Sequence, residues 1–380
     1  MKQMTFDKSY FKMIKETYDK QEEQNLKITF EPPNCYTPHF SLLQPQIEED
    51  PERYLMYRSG DNYASSIFST YPTINEIKFG KPIADTHAID IFDNFVIVSI
   101  ADGCGMGNLP SKASKMACQK FRDYLAVELN GKKTPKQVID VLLKAVAYIQ
   151  TELINGAEDI HSVGLTTFLG CVILKIKGDD DKYAIAYVNI GDCRGILMRP
   201  QNDICWELVS GYKPRIDVTN ACGRLGPAEL DKPDLGNFTC GINICMTGDN
   251  LLLMSDGIYD NFDPNVLGKS PQDYGINKMV WDESIPEHRK KRNEIFYSLL
   301  KELYTSPSSA KLTQNIYDFV VEKTSGARQQ KIDNQLGKYG FNIVPGKMDH
   351  STFVSLVLSE EMFKIREVTE EELDIPPDMM

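Results

Sequence analysis

Residues 94–101 read NFVIVSIA, a run of β-branched and apolar side chains with almost no polar alternation. A strand of that composition is buried on both faces, so other layers must cover it from either side. A glycine-rich turn, DGCGMGN, follows it. Residues 110–129 then place Ala113, Ala117, Phe121 and Leu125 on one helical face. Thr134 predicts an N-cap, with Pro135 at the first helical position, for a second helix to about Ile154. Strand-like runs follow at 166–176, 183–190, 195–198 and 205–209, the first two joined by a GDDDK turn. Another strand is expected at 251–254, helices at 289–305 and 312–323, and a closing strand at 352–358. Strands, then helices, then strands again predict an α+β fold, a central antiparallel β-sandwich with helices packed outside it.

The flanks read differently. Residues 1–30 predict a charged amphipathic helix and a short strand at 26–30, and prolines punctuate the stretch to about residue 60. Residues 1–62 are therefore expected to form an N-terminal extension without its own core, 63–360 a single domain, and 361–380 an acidic tail. The formal charge of −12 disfavours a nucleic-acid-binding role, which needs clustered Lys and Arg, and equally a polybasic membrane-surface role. No apolar run approaches the length that spans a bilayer, and the N-terminal stretch lacks the apolar core of a signal peptide. The nine cysteines include no C-x-x-C pair, and Cys35 and His39 have ligand-like spacing but no second pair. Free, mostly buried thiols are expected, and with them an intracellular location, cytoplasmic or nuclear.

Four apolar strands end in an aspartate: Asp85, Asp102, Asp256 and Asp349. Any one of these is explained by ordinary turn chemistry. Several carboxylates converging from strand ends would repel one another unless a cation neutralised them, and hard oxygen donors select Mg²⁺ or Mn²⁺. The glycines after Asp102 are spaced G-x-G-x-G rather than as a dinucleotide-binding turn, and no βαβ unit follows. Cys193 and Arg199 have the C-x5-R spacing of cysteine-dependent phosphatases, but the residues between them are strand-like and lack small polar positions that cradle a phosphate. His87 and His350 lie beside Asp85 and Asp349, and a lone His is more often packed than catalytic.

The segments DTHAIDIFDNFVIVSIADG, GLTTFLGCVIL, YVNIGDCRGIL, GDNLLLMSDGIYDNF and MDHSTFVSLVL, in that order, resemble the metal-dependent PPM/PP2C family of Ser/Thr protein phosphatases, and within it a divergent PP2C-like domain subgroup. The resemblance covers about residues 63–360. It implies a four-layer sandwich with a binuclear Mg²⁺ or Mn²⁺ centre, two ions per domain, at one edge. Asp102 would bridge both ions, Gly103 would lend its carbonyl, Asp256 and Asp349 would complete the first ion's shell, and Asp85 would act through metal-bound water. Asp192 matches a position some members use for a third metal. The implied reaction is hydrolysis of phosphoserine or phosphothreonine in phosphoprotein substrates by a metal-activated water.

Two departures stand out. The family's D-G-H-G-G is here D-G-C-G-M, so Cys104 replaces a histidine thought to protonate the leaving group. His87 or a metal-bound water would be the substitute. The phosphate-binding arginine expected just before Asp85 is absent, leaving Lys78 or Lys81. A catalytically weak or inactive binding module of the same fold is the alternative, and a cysteine-dependent phosphatase through Cys193 is a third reading. Residues 263–340 are where substrate or partner selectivity is expected.

Overall fold

The computed structural model describes residues 4–21, 26–33, 37–45, 54–155, 157, 159–200, 204–208, 220–282, 284–335 and 344–380. Cys35, noted for its ligand-like spacing to His39, lies outside them. Two antiparallel sheets dominate. The first has the order β1 (Phe40–Gln44), β6 (Thr86–Ile91), β7 (Phe95–Ala101), β8 (Phe168–Ile176), β9 (Asp179–Ile190) and β14 (Thr239–Met246). The second runs β11 (Ile204–Glu207), β10 (Arg194–Arg199), β15 (Asn250–Met254), β16 (His350–Val357), β3 (Tyr63–Ser69), β2 (Leu55–Ser59) and β17 (Thr369–Glu372). Two small ribbons pair β4 (Thr73–Ile74) with β5 (Ile77–Lys78), and β12 (Arg224–Glu229) with β13 (Lys232–Asp234).

Helices α1 (Lys8–Tyr18), α2 (Asn108–Glu128) and α3 (Pro135–Ile154) cover the first sheet. The short α4 (Asp256–Tyr259) and the longer α5 (Pro286–Leu303) and α6 (Ser309–Gln335) cover the second. The order helix, sheet, sheet, helix is the expected one, and β7 shows why. Every residue of β7 is buried, with Ile97 and Ala101 facing the helices and Val96, Val98 and Ile100 facing the other sheet. Thr134 caps α3 as expected: its hydroxyl accepts from the Gln137 N–H while the Gln137 side chain accepts from the Thr134 N–H. Among the described residues no helix is long and apolar enough to cross a membrane.

The expected boundaries at 62 and 361 do not separate the sheets from their flanks. β1 pairs with β6, β2 with β3 and β17 with β2, while Tyr10 and Ile14 of α1 sit in the core. These strands are four or five residues long with mixed composition, so the partner strand and not local propensity decides their state. The expected strand at 26–30 is reduced to a single bridge between Phe30 and Ile176. The GDDDK segment is mostly strand: Ile176 pairs with Asp179, so the turn falls at Lys177 and Gly178.

Candidate functional site

Register places the four aspartates at one end of the sandwich. Thr86 pairs with Ala101, so Asp85 and Asp102 flank the same end of the β6–β7 hairpin. In the facing sheet Met254 pairs with Phe353 and the Ser255 N–H donates to the Thr352 carbonyl, so Asp256 and Asp349 flank the matching end of β15 and β16. Ser255 joins the two sheets, since its hydroxyl donates to Asp85 Oδ2 at 2.7 Å and accepts from the Thr352 N–H at 2.9 Å. His350 is a second tie. Its Nδ1 accepts from the Ala84 N–H at 3.2 Å, so Nε2 carries the proton and donates to the Gly80 carbonyl at 2.5 Å. Burial pushes the His350 pKa down to about 4, which keeps this tautomer neutral. The segment leading to Asp85 is thereby fastened to the start of β16.

The Asp102 backbone is gripped as tightly. Its carbonyl accepts from the Thr167 N–H at 2.8 Å and the Thr166 hydroxyl at 2.9 Å. Both threonines are buried, in keeping with a structural role. A Cβ on Gly103 would lie 2.6 Å from the Pro110 carbonyl and 2.7 Å from that of Ala84, so only glycine fits between β6 and α2.

Crowded carboxylates resist ionising together. Burial, then the neighbouring Asp349 and Asp256, push Asp85 up to about 7 despite the Ser255 hydrogen bond. Burial and Asp256 push Asp349 up to about 6 even with Lys347 alongside. Asp102 is raised well above the ordinary range by desolvation and by Asp256, Asp85 and Asp349, although part of its surface remains open. Lys347 supplies the local positive charge. Its ammonium contacts Asp256, Asp260 at 2.9 Å and Asp349 at 3.0 Å. Burial alone would lower its pKa, but these three carboxylates outweigh it and hold the ammonium charged.

The other expected residues divide. Asp192 is buried on the turn between β9 and β10, and its charge, like that of Asp256, acts on Cys104. Burial raises the Cys104 thiol to about 12. His87 shares the inter-sheet face with Ile100, its two ring nitrogens are buried without hydrogen-bond partners, and burial lowers its pKa to about 3. It is a neutral interior residue and not a proton donor at the surface of the site. Lys78 donates to the Tyr71 carbonyl at 2.8 Å and the Met379 carbonyl at 2.5 Å, so its ammonium is spent fastening the C-terminal segment. Lys81 is exposed, one residue past the Gly80 carbonyl that meets His350. Cys193 and Arg199 lie at opposite ends of β10, about 20 Å apart at ~3.3 Å per residue. Cys193 contacts Thr167 in the core, while Arg199 forms a two-pronged ion pair with the buried Asp249, both bonds 2.7 Å. The cysteine-phosphatase reading is therefore removed.

Sequence reasoning missed Asp260, Lys347 and Arg224. Arg224 is half-buried at the start of β12. Thr166 bridges Gly103 on one side and Leu225 on the other, which sets Arg224 beside the Asp102 turn, and its charge acts on Cys104. Among the described residues no carboxylate pairs with it. A guanidinium has the planar fork of donors that the Lys78 and Lys81 ammonium groups lack. Asp260 and Lys347 lie four and two residues from Asp256 and Asp349, a proximity that could have flagged them, whereas Arg224 is brought to the site by tertiary register alone.

The donors suit a hard divalent ion in chemistry: carboxylate oxygens, a buried Asp85 Oδ1 with no hydrogen-bond partner, and a carbonyl at a position closed to any side chain. Yet among the described residues no three Asp, Glu, His or Cys side chains are grouped so as to hold a metal ion, and the point where Asp256, Asp260 and Asp349 converge is taken by the Lys347 ammonium.

Residues 75–277, just over half of the chain, match the family model described as Protein phosphatase 2C. That span holds Asp85, Asp102, Asp192, Arg224 and Asp256, whereas Lys347 and Asp349 lie beyond it. A PP2C-like domain-containing protein of Drosophila melanogaster, CG9801, is 31% identical over 200 residues, 50% of this chain and 27% of the relative. The chain thus spans about a quarter of the length of that curated relative. Among solved structures, the Mycobacterium tuberculosis serine/threonine phosphatase PstP/Ppp is 15% identical with a TM-score of 0.43, covering 80% of this chain and 99% of its own. A phosphatase from a pathogenic strain of Toxoplasma gondii is 11% identical with a TM-score of 0.45, covering 85% and 100%.

Proposed function

Because the chain belongs to the protein phosphatase 2C family, we propose that it hydrolyses phosphoserine or phosphothreonine in proteins at the end of the sandwich where its four aspartates meet. The observation that carries this reading is the convergence of Asp85 and Asp102 from one sheet with Asp256 and Asp349 from the other, tied by Ser255. Asp102, the Gly103 carbonyl, Asp256 and Asp349 would hold Mg²⁺ or Mn²⁺, with Asp85 behind them, and we propose two ions. Bound there, such an ion supplies Lewis acidity, which lowers the pKa of water and offsets phosphoryl charge. Arg224 offers two parallel N–H donors for the substrate phosphate. Thr166 and Thr167 fix the Asp102 backbone so that the carboxylate does not drift. The Cys104 thiol is held too basic to protonate a leaving group efficiently near neutrality, and the loss of general-acid help costs about 10²–10⁴-fold. Slow turnover is the expected result.

A second reading, a weak or inactive module that binds phosphoproteins, is favoured by Cys104 and by the lysine lodged among the carboxylates. Hydrolysis of p-nitrophenyl phosphate in Mn²⁺, compared with EDTA, separates the two. Mn²⁺-dependent turnover lost in Asp102→Ala supports the enzyme. Binding of a phosphothreonine peptide without turnover supports the module.

A further inference from the structure

Lys347 is built into the site from its backbone outward. Its N–H donates to Asn261 Oδ1 at 2.9 Å, and its carbonyl accepts from Asn261 Nδ2 at 3.0 Å. Asn261 is fully buried just after α4 and is itself anchored, since its Nδ2 also donates to the Gly257 carbonyl at 2.9 Å. The stem therefore starts from a fixed point, clamped to Asn261 two residues past α4 and two residues before Asp349. An ammonium has three donors and no acceptor. Here three carboxylates, Asp256, Asp260 and Asp349, meet it within ion-pair distance, so every donor has an anionic partner. Two of those carboxylates are the ones assigned above to a divalent ion. An ammonium and a divalent cation cannot share that space.

We propose that the Lys347 ammonium is a tethered counter-cation that fills the Asp256–Asp349 half of the centre in the metal-free protein, and that a divalent ion enters there only by displacing it. The inference rests on the metal-dependent reading of the site and goes beyond it: a residue of this chain sets how tightly the ion is held. Asp260 acts as the holding residue, because it contacts the ammonium without belonging to the assigned ligands. Two consequences follow from charge alone. The metal-free fold keeps its carboxylates apart from direct mutual repulsion. Metal affinity is weaker than the carboxylate count suggests, because binding releases an ion pair before it forms a new one.

Calorimetric titration of the EDTA-treated full chain with MnCl₂ alone tests this, with thermal unfolding of the same metal-free samples alongside. Lys347→Gln is expected to bind Mn²⁺ at least about tenfold more tightly than the parent, since a unit charge removed at close range is worth more than that factor near a protein surface. Its metal-free melting temperature is expected to fall, and Mn²⁺ is expected to raise it by more than it raises the parent's. Should Lys347→Gln fail to fold without metal, Asp260→Asn keeps both the lysine and the assigned ligands, and a tightening of about threefold is expected from the weaker hold on the ammonium. Unchanged or weaker Mn²⁺ binding in the variant that folds overturns the inference while leaving the metal-dependent reading intact. No Mn²⁺ binding by parent or variants overturns both.

Discussion

Replacing Gly257 by alanine tests whether the spacing of the aspartates is set by the close approach of α4 to β16. A Cβ at this position would lie 1.9 Å from the His350 carbonyl oxygen and 2.9 Å from its carbon. Both are backbone atoms and neither can rotate away. Restoring an ordinary contact of about 3.5 Å requires the two segments to part by about 1.5 Å. Gly257 follows Asp256 and His350 follows Asp349, so that opening passes directly into the separation of two assigned ligands. It is resisted on both sides. The Asp349 N–H donates to the Thr70 hydroxyl at 2.7 Å, and the His350 ring holds Gly80 and Ala84. A misplacement of about 1 Å near the reacting groups costs about 10²-fold, so kcat/KM on a phosphothreonine peptide in Mn²⁺ is expected to fall at least that far. Overpacking should also cost about 1–3 kcal/mol in urea unfolding. Gly326→Ala is the control: its Cβ would meet only the Val344 Cγ1 at 2.7 Å, a side-chain methyl that can turn aside, and it lies in α6. Its activity should be unchanged. Gly257→Ala with kcat/KM within about twofold of the parent would refute the reasoning.

Other perturbations read separate parts of the account. Arg224→Ala should lower kcat/KM on the same peptide by about 10–100-fold, the worth of a charge-assisted hydrogen bond, with little change in melting temperature; an unchanged value removes Arg224 from phosphate binding. Arg199→Ala strands the buried Asp249 and should cost about 3–5 kcal/mol of stability in urea while the folded fraction keeps its activity. A parallel loss of kcat would restore a catalytic role to the C-x5-R pair. The metal-free protein should also carry a component of stability from Asp85 and Asp349 that falls between pH 5 and pH 8, against the rise that the buried neutral His87 and His350 contribute in the same range. Asp85 and Asp349 titrate near 7 and 6 when folded but near 3.8 when unfolded, so between those values the folded state holds protons that the unfolded state has lost. Stability from these groups therefore falls as pH rises towards 7 and levels off above it. Thermal unfolding of the parent and Asp85→Asn in EDTA across that range checks the sign, since the histidines are common to both: the parent's melting temperature should fall relative to the variant's as pH rises.

The layers were legible where a segment announces its own burial. NFVIVSIA has no face to give to water, and the Ala113, Ala117, Phe121 spacing can cover only one neighbour. Asp102 and Asp256 were legible for the same reason, since each follows an apolar strand, whereas Asp85 and Asp349, read as strand ends, instead precede β6 and β16. The flanks were not. FSLLQ, LMYRS and TEEE become strands because β6, β3 and β2 offer them unpaired edges, which no local pattern records. Arg224 was missed on similar grounds: the Gly103–Thr166–Leu225 bridges bring distant residues together. His87 and Lys78 sit close to Asp85 in sequence, but one faces the inter-sheet core and the other the C-terminal carbonyls.

The most direct test of the central claim is the release of inorganic phosphate from a phosphothreonine peptide by the parent and by Asp102→Asn, at one fixed Mn²⁺ concentration. The substitution keeps the size of a half-buried side chain and removes only its charge, so folding can be verified by an unchanged unfolding profile. The account predicts slow but measurable release by the parent and a fall of at least about 10²-fold in the variant. Equal release by both proteins would contradict it and place the chemistry elsewhere on the chain.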